Sequence, residues 1–298
     1  MGSVESENNH QGLLDSKVKD MLTALREEAA TSEEIRSIVD LIGKAGVIMV
    51  IDPEKAFDDL ADTLERVRIA ARMGMKVMEV GGSTDNNRGA ETVIPAVRNA
   101  IEEVGGDTTL ISFPGTSSQV VGGVHAVYSL FLPQLEKVKQ NDPQWVERLY
   151  EEYFNIIRKG KERNVPVFPV IYFLFKGGEM TSVEKVTKID AIDVRDGVHV
   201  DQVMGMIGPW LEKNDLVMLE NGSGSRFANL GGVAKEVSEL TGIRSIVTGG
   251  NSDPKNVRDI TSIATVPTVS GSIFERTPPD KFGDLYQQFR DAHPSCRE

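Results

Sequence analysis

The chain has 298 residues, of which 40% are hydrophobic and 26% charged, and carries a formal net charge of −12 at pH 7. That length suits one large α/β domain with a sizeable core, and the acidic balance excludes the nucleic-acid binders, which depend on clustered Lys and Arg. A single cysteine, Cys296, excludes an intrachain disulfide framework and points to a reducing, cytoplasmic compartment. No run approaches about 20 uninterrupted apolar residues, so no spanning helix is expected.

The polar, acidic stretch MGSVESENNHQG reads as an unstructured tail rather than a secretory signal. Between Leu13 and Lys44, apolar residues recur at three-to-four spacing (Val18, Met21, Leu22, Leu25; then Ile35, Ile38, Val39, Ile42). TSEE at 31–34 marks a helix start capped by Thr31 or Ser32. Residues 1–45 are therefore a tail and helical extension, and 46–298 the main domain.

A strict alternation follows. GVIMVID (46–52) is an apolar strand, then a helix runs from Ala56 to Met73. KVMEVGG (76–82) is the second strand, with a helix from Gly89 to Val104. TTLISFPG (108–115) and HAVYSLF (125–131) are the third and fourth. The helix over 142–162 opens on Asp142 as cap and Pro143 at its first position. VPVFPVIYFLF (165–175) is the fifth strand, its prolines suggesting a late or irregular start. Residues 183–213 are connecting and helical. DLVMLEN (215–221), IRSIVTGG (243–250) and TVPTVSGS (265–272) are the last three strands, with helices over 231–241, 253–263 and 278–293. Eight near-continuous apolar strands alternating with helices fit an α/β fold of the (β/α)8 TIM-barrel kind with an N-terminal helical extension. A dinucleotide fold is disfavoured, because no GxGxxG opens a first helix.

In such a barrel the active site lies at the C-terminal ends of the strands. Those ends read Asp52, then Gly81, Gly82 and Ser83, then Pro114 and Gly115, Tyr172 within the fifth strand, Glu220 with Gly222, Ser223 and Gly224, then Gly249 and Gly250, and finally Gly271 and Ser272. Glycines let backbone N–H groups approach an anion. Glycine-bearing ends on strands six to eight, with the helix start SDP after strand seven, suit a phosphate site. Asp52 with the hydroxyl of Ser83 makes a Mg²⁺ site conceivable, since that ion needs only one or two protein oxygens beside substrate phosphates and water. The four histidines show no metal spacing, and GSGS lacks a partnered histidine for a serine nucleophile.

Read in order, the stretches IDPEK (51–55), VGGS (80–83), FPG (113–115), AVYSLFLPQ (126–134), VIYFLFKGGEMTSVEKVTK (170–188), LENGSG (219–224), GGNSDP (249–254) and SGSIFE (270–275) resemble the TIM-barrel prenyltransferases: geranylgeranylglyceryl phosphate synthase and the bacterial heptaprenylglyceryl phosphate synthases. The resemblance implies ether formation between an allylic prenyl diphosphate and the hydroxyl of a phosphorylated glycerol, assisted by Mg²⁺. It implies Asp52 and Ser83 as metal ligands. The loop of Met218, Leu219, Glu220, Asn221, Gly222, Ser223 and Gly224 would hold the phosphoglycerol, and Gly249, Gly250, Gly271 and Ser272 would clamp the phosphate. Glu220 would be the base beside the acceptor hydroxyl. Phe113, Tyr128 and Tyr172 would line a groove for the prenyl chain, with Phe131, Phe173 and Phe175 nearby, although these aromatics equally suit a core. The family also implies a homo-oligomer and peripheral membrane contact through the lipid product. Three departures fall on the acceptor side: Val50 stands where bacterial relatives carry lysine, Met218 where the motif opens on tyrosine, and Asn251 where a third glycine is usual. They leave two acceptors open. One is glycerol-1-phosphate. The other is 3-phosphoglycerate with a farnesyl donor, as in a relative from phosphoglycolipid antibiotic biosynthesis. A sugar-phosphate isomerase or synthase on the same barrel, needing no metal, is the competing class.

Overall fold

The structure, a computed structural model, describes residues 18–82, 87–135, 138, 141–176, 181–193, 204–205, 207–222, 230–251, 253–261, 266–269 and 271–296. Eight parallel strands close into a barrel in sequence order: β1 (Ile48–Ile51), β2 (Val77–Val80), β3 (Thr109–Ser112), β4 (Ala126–Phe131), β5 (Val167–Leu174), β6 (Leu216–Glu220), β7 (Ile246–Asn251) and β8 (Val266–Val269). Helix 18–31 (α1) and Glu33–Lys44 (α2) precede the barrel. The surrounding helices are α3 (Pro53–Asp58), α4 (Leu60–Arg72), α5 (Asn87–Glu103), α6 (Pro143–Glu162), α7 (Ser182–Thr187), α8 (Leu230–Thr241), α9 (Pro254–Thr261), α10 (Gly271–Arg276) and α11 (Pro279–Ala292). Among the described residues no helix is long and apolar enough to cross a membrane.

Several boundaries follow from capping. The Ser32 hydroxyl accepts from Ile35 N at 3.3 Å and opens α2, and Asp142 accepts from Trp145 N at 3.2 Å and opens α6. The helix expected as one piece from Ala56 is two. Asp59, at φ −129° and ψ 50°, breaks it into α3 and α4. The fifth strand starts late, at Val167 just after Pro166, while Pro169 lies inside it, opposite Ser129. The eighth strand ends at Val269, and Gly271 begins a helix that sequence pattern alone did not show.

Strand register decides what faces the interior. Laterally paired residues in parallel strands share a face, and the side-chain period is two. The pairs Val50↔Glu79↔Ile111 and Tyr172↔Met218↔Val247 therefore belong to one inward set. Tyr128 joins it, since its hydroxyl reaches Glu79 across β3. Leu219, Phe131 and Phe173 point the other way, toward the helices; Phe131 meets Tyr153 of α6 at 6.3 Å between ring centroids.

The N-terminal extension packs at the end of the barrel opposite the strand C-termini. Arg26 of α1 donates to both oxygens of Asp215, just before β6, at 2.8 and 2.6 Å. Gly43 of α2 lies against Ser245, just before β7.

Candidate active site

The C-terminal mouth of the barrel gathers two acidic groups on opposite sides. The first is a lysine-bridged pair. Asp52 follows β1 and caps α3, its Oδ1 accepting from Glu54 N at 3.0 Å. Glu275, on α10 after β8, accepts from Asp52 N at 3.3 Å. Lys55 Nζ lies 3.1 Å from Asp52 Oδ2 and 3.0 Å from Glu275 Oε2. Burial lowers the proton affinity of Lys55, but its hydrogen bond to Glu275 and the charges of Glu275 and Asp52 outweigh this, so its pKa is raised. A cleft of about 210 Å³ adjoins the cluster, lined by Lys55, Asp59, Thr63, Arg66, Glu275 and Arg276.

The donor set here suits a hard cation in part. Two carboxylates already share a positive charge, and Asp52 stays about a quarter exposed. Among the described residues no group of three or more His, Cys, Asp or Glu side chains could hold a metal unaided. Such a pair fits an ion like Mg²⁺ that keeps waters and takes substrate phosphate oxygens to complete its shell.

The second group is Glu220, the last residue of β6. Its Oε1 accepts from Gly222 N at 2.6 Å, a turn that Gly222 permits at φ +84°. Its Oε2 leans over Gly249, where a Cβ would come within 1.6 Å of it. The residue keeps some surface at the mouth, but its carboxyl group is enclosed. Burial pushes its pKa up to about 7, against the opposing pull of the Gly222 and Asn221 N–H groups. Gly250 follows at φ +79°, packed against Asn221 and Gly222.

The remaining expected positions distribute as follows. Ser83, Ser223 and Gly224 lie outside the described residues. Gly271 and Ser272 form the start of α10. Met218 is buried on the inward face and Leu219 is buried against the helices. Phe113 is half-buried at the end of β3, 5.6 Å from the Tyr128 ring and 6.4 Å from that of Tyr172. Tyr128 and Tyr172 are both fully enclosed.

Two acids escaped the strand-end reading. Glu79 is fully buried inside β2, and Glu275 lies on a helix hidden by an eighth strand read three residues too long. The only trace of Glu79 in the sequence is that it is the one acid inside KVMEVGG, which marks no strand end.

No family model matches the chain. Over 245 residues, covering 80% of this chain and 97% of the relative, it is 26% identical to geranylgeranylglyceryl phosphate synthase of Zunongwangia profunda. The chain is thus similar to this synthase over most of its length. The fold agrees. The wild-type GGGPS of Thermoplasma volcanium superposes with a TM-score of 0.66 at 20% identity, covering 88% of this chain and 98% of that one. The geranylgeranylglyceryl phosphate synthase of Thermoplasma acidophilum, in complex with sn-glycerol-1-phosphate, gives 0.63 at 21% identity, covering 85% and 97%. Asp52, Glu220, Gly222 after β6, and Gly249 and Gly250 near the end of β7 stand at the C-terminal mouth of a barrel of the same fold.

Proposed function

We propose that this chain transfers a prenyl group from an allylic prenyl diphosphate to the hydroxyl of a phosphorylated glycerol. The donor C–O bond to diphosphate breaks, an ether C–O bond forms, and the hydroxyl proton goes to Glu220. The observation that carries the reading is the enclosed Glu220 carboxyl at the mouth, seated on Gly249 and held by Gly222, in a chain similar to a geranylgeranylglyceryl phosphate synthase along 80% of its length.

Each side of the mouth has its task. Asp52 and Glu275, with Ser83, would hold Mg²⁺, which would supply positive charge for a departing diphosphate. Lys55 and Arg276, on the adjoining cleft, add positive charge on that side. Backbone N–H groups after β6, at Gly249 and Gly250 near the end of β7, and at α10 would hold the acceptor phosphate, fixing the hydroxyl beside Glu220. Glu220 takes the proton as general base, an effect of about 10²–10⁴-fold. Phe113, at the mouth beside the buried Tyr128 and Tyr172, would meet the first part of the prenyl chain. Self-association and contact of the lipid product with a membrane surface belong to the same proposal.

The test combines purified protein, Mg²⁺ and prenyl diphosphates of increasing length with glycerol-1-phosphate or, in a second arm, 3-phosphoglycerate. The second arm is warranted because Val50 and Met218 put apolar side chains on the inward face, where the resemblance leads one to expect lysine and tyrosine. Diphosphate release with an ether of the summed mass is expected, and Glu220→Gln should lower turnover at least about 100-fold. No ether from any donor with either acceptor would overturn the reading.

A further inference from the structure

Inside the barrel stands a second acid that the proposed reaction does not use. Glu79 is sealed from solvent on the inward face of β2. Its Oε1 accepts from the Tyr128 hydroxyl at 2.8 Å, while its Oε2 has no hydrogen-bond partner among the described residues. Its lateral neighbours, Val50 on β1 and Ile111 on β3, are apolar. Across the barrel, on β6, it faces Glu220, whose charge acts on it. Tyr172 on β5 feels the charge of both acids. No lysine, arginine or histidine among the described residues neutralises either one.

Two enclosed carboxyls without a countercharge cannot both ionise cheaply, so the pair keeps one proton until well above the ordinary carboxylate range. Their surroundings decide which one keeps it. Glu220 receives N–H donors from Gly222 and Asn221, which favour its ionised form, and it borders the mouth. Glu79 receives one phenol hydroxyl and leaves an oxygen bare, an arrangement far costlier for a carboxylate than for a neutral acid. Resting on the reading of Glu220 as the base, we infer that Glu79 is a positioning residue: held by Tyr128, it keeps a proton inside the barrel so that the negative charge of the pair resides on Glu220 at the mouth. Environments that push two acids apart in this way separate their roles.

The test is a ¹³C NMR titration of the full chain labelled at glutamate Cδ, with signals assigned by Glu79→Gln and Glu220→Gln. In the unsubstituted protein Glu79 should be the last glutamate to ionise. Glu79→Gln keeps an acceptor for Tyr128 and removes the titration, so the midpoint of Glu220 should fall by about one pH unit or more. The acid limb of kcat/KM should move with it. Coupling is reciprocal, so Glu220→Gln should lower the Glu79 midpoint by a similar amount, which serves if the first variant does not fold. A Glu220 midpoint unchanged in folded Glu79→Gln, a Glu79 midpoint unchanged in Glu220→Gln, or ionisation of Glu79 before Glu220 would each overturn the inference. The titration needs no turnover. Absence of any ether product would sink the prenyl-transfer reading while leaving the carboxyl coupling measurable.

Discussion

One oxygen of the Glu220 carboxylate occupies the space that any side chain at position 249 would need. A Cβ there would stand 1.6 Å from Oε2, far inside contact distance. Gly249→Ala should therefore swing the carboxyl away from its seat. Because an ångström of misplacement can cost about 100-fold, turnover should fall by that order while circular dichroism shows the barrel intact. Unchanged turnover would show that this seat does not matter. The residue scale is also where sequence reading was sharpest and where it missed. Glu220 was legible because it ends an apolar run beside glycines. Glu79 was not, because an acid within a fully covered strand breaks the pattern without marking an end. Glu275 was hidden by Gly271 and Ser272, which read as the end of a strand and are the start of a helix.

At the scale of elements, α1 is held by charge as well as by its apolar face. Arg26 grips Asp215 through two bonds, reaches Glu212 at 2.8 Å and donates to the Trp210 carbonyl at 2.7 Å. Asp215 is nearly sealed, its side chain 2% exposed. Burial raises its pKa, against the pull of Arg26. Arg26→Ala should strand this acid and cost about 3 kcal/mol. A fall in the urea midpoint, with kcat unchanged because α1 lies away from the mouth, is the expected pair of results. Most elements were legible, since apolar period and caps such as Ser32 and Asp142 are local signals. The break at Asp59 was not. Arg66 of α4, itself buried, bonds Asp59 Oδ2 and the Thr277 carbonyl, each at 3.0 Å, and that second contact spans most of the chain.

For the whole molecule, the raised acids set a pH dependence. As the proposed base, Glu220 would have to be ionised to accept a proton, so kcat/KM should climb with pH and level off above about 7. Stability should run the other way. Glu79, at 4.5 ordinarily and about 7 in the fold, binds more proton folded than unfolded across that window. Its contribution is complete below the lower value and is lost as pH rises through the upper one. Urea midpoints for the unsubstituted chain should fall from pH 5 to pH 8, and Glu79→Gln should flatten that decline; a parallel decline would refute the assignment.

The salt bridge of Lys55 has a bearing on how the molecule comes to exist. Asp52 and Lys55 belong to the first strand's exit and Glu275 to the last strand's, 223 residues from Asp52. Contacts so distant along a chain are slow to form. They sit at the seam where β1 meets β8 and the sheet becomes a ring. A partly folded chain with the ring still open has neither this cluster nor a complete mouth. The cluster therefore exists only in a closed ring, and if the proposed diphosphate site lies there, the ability to hold that group would be a signal that the ring has closed.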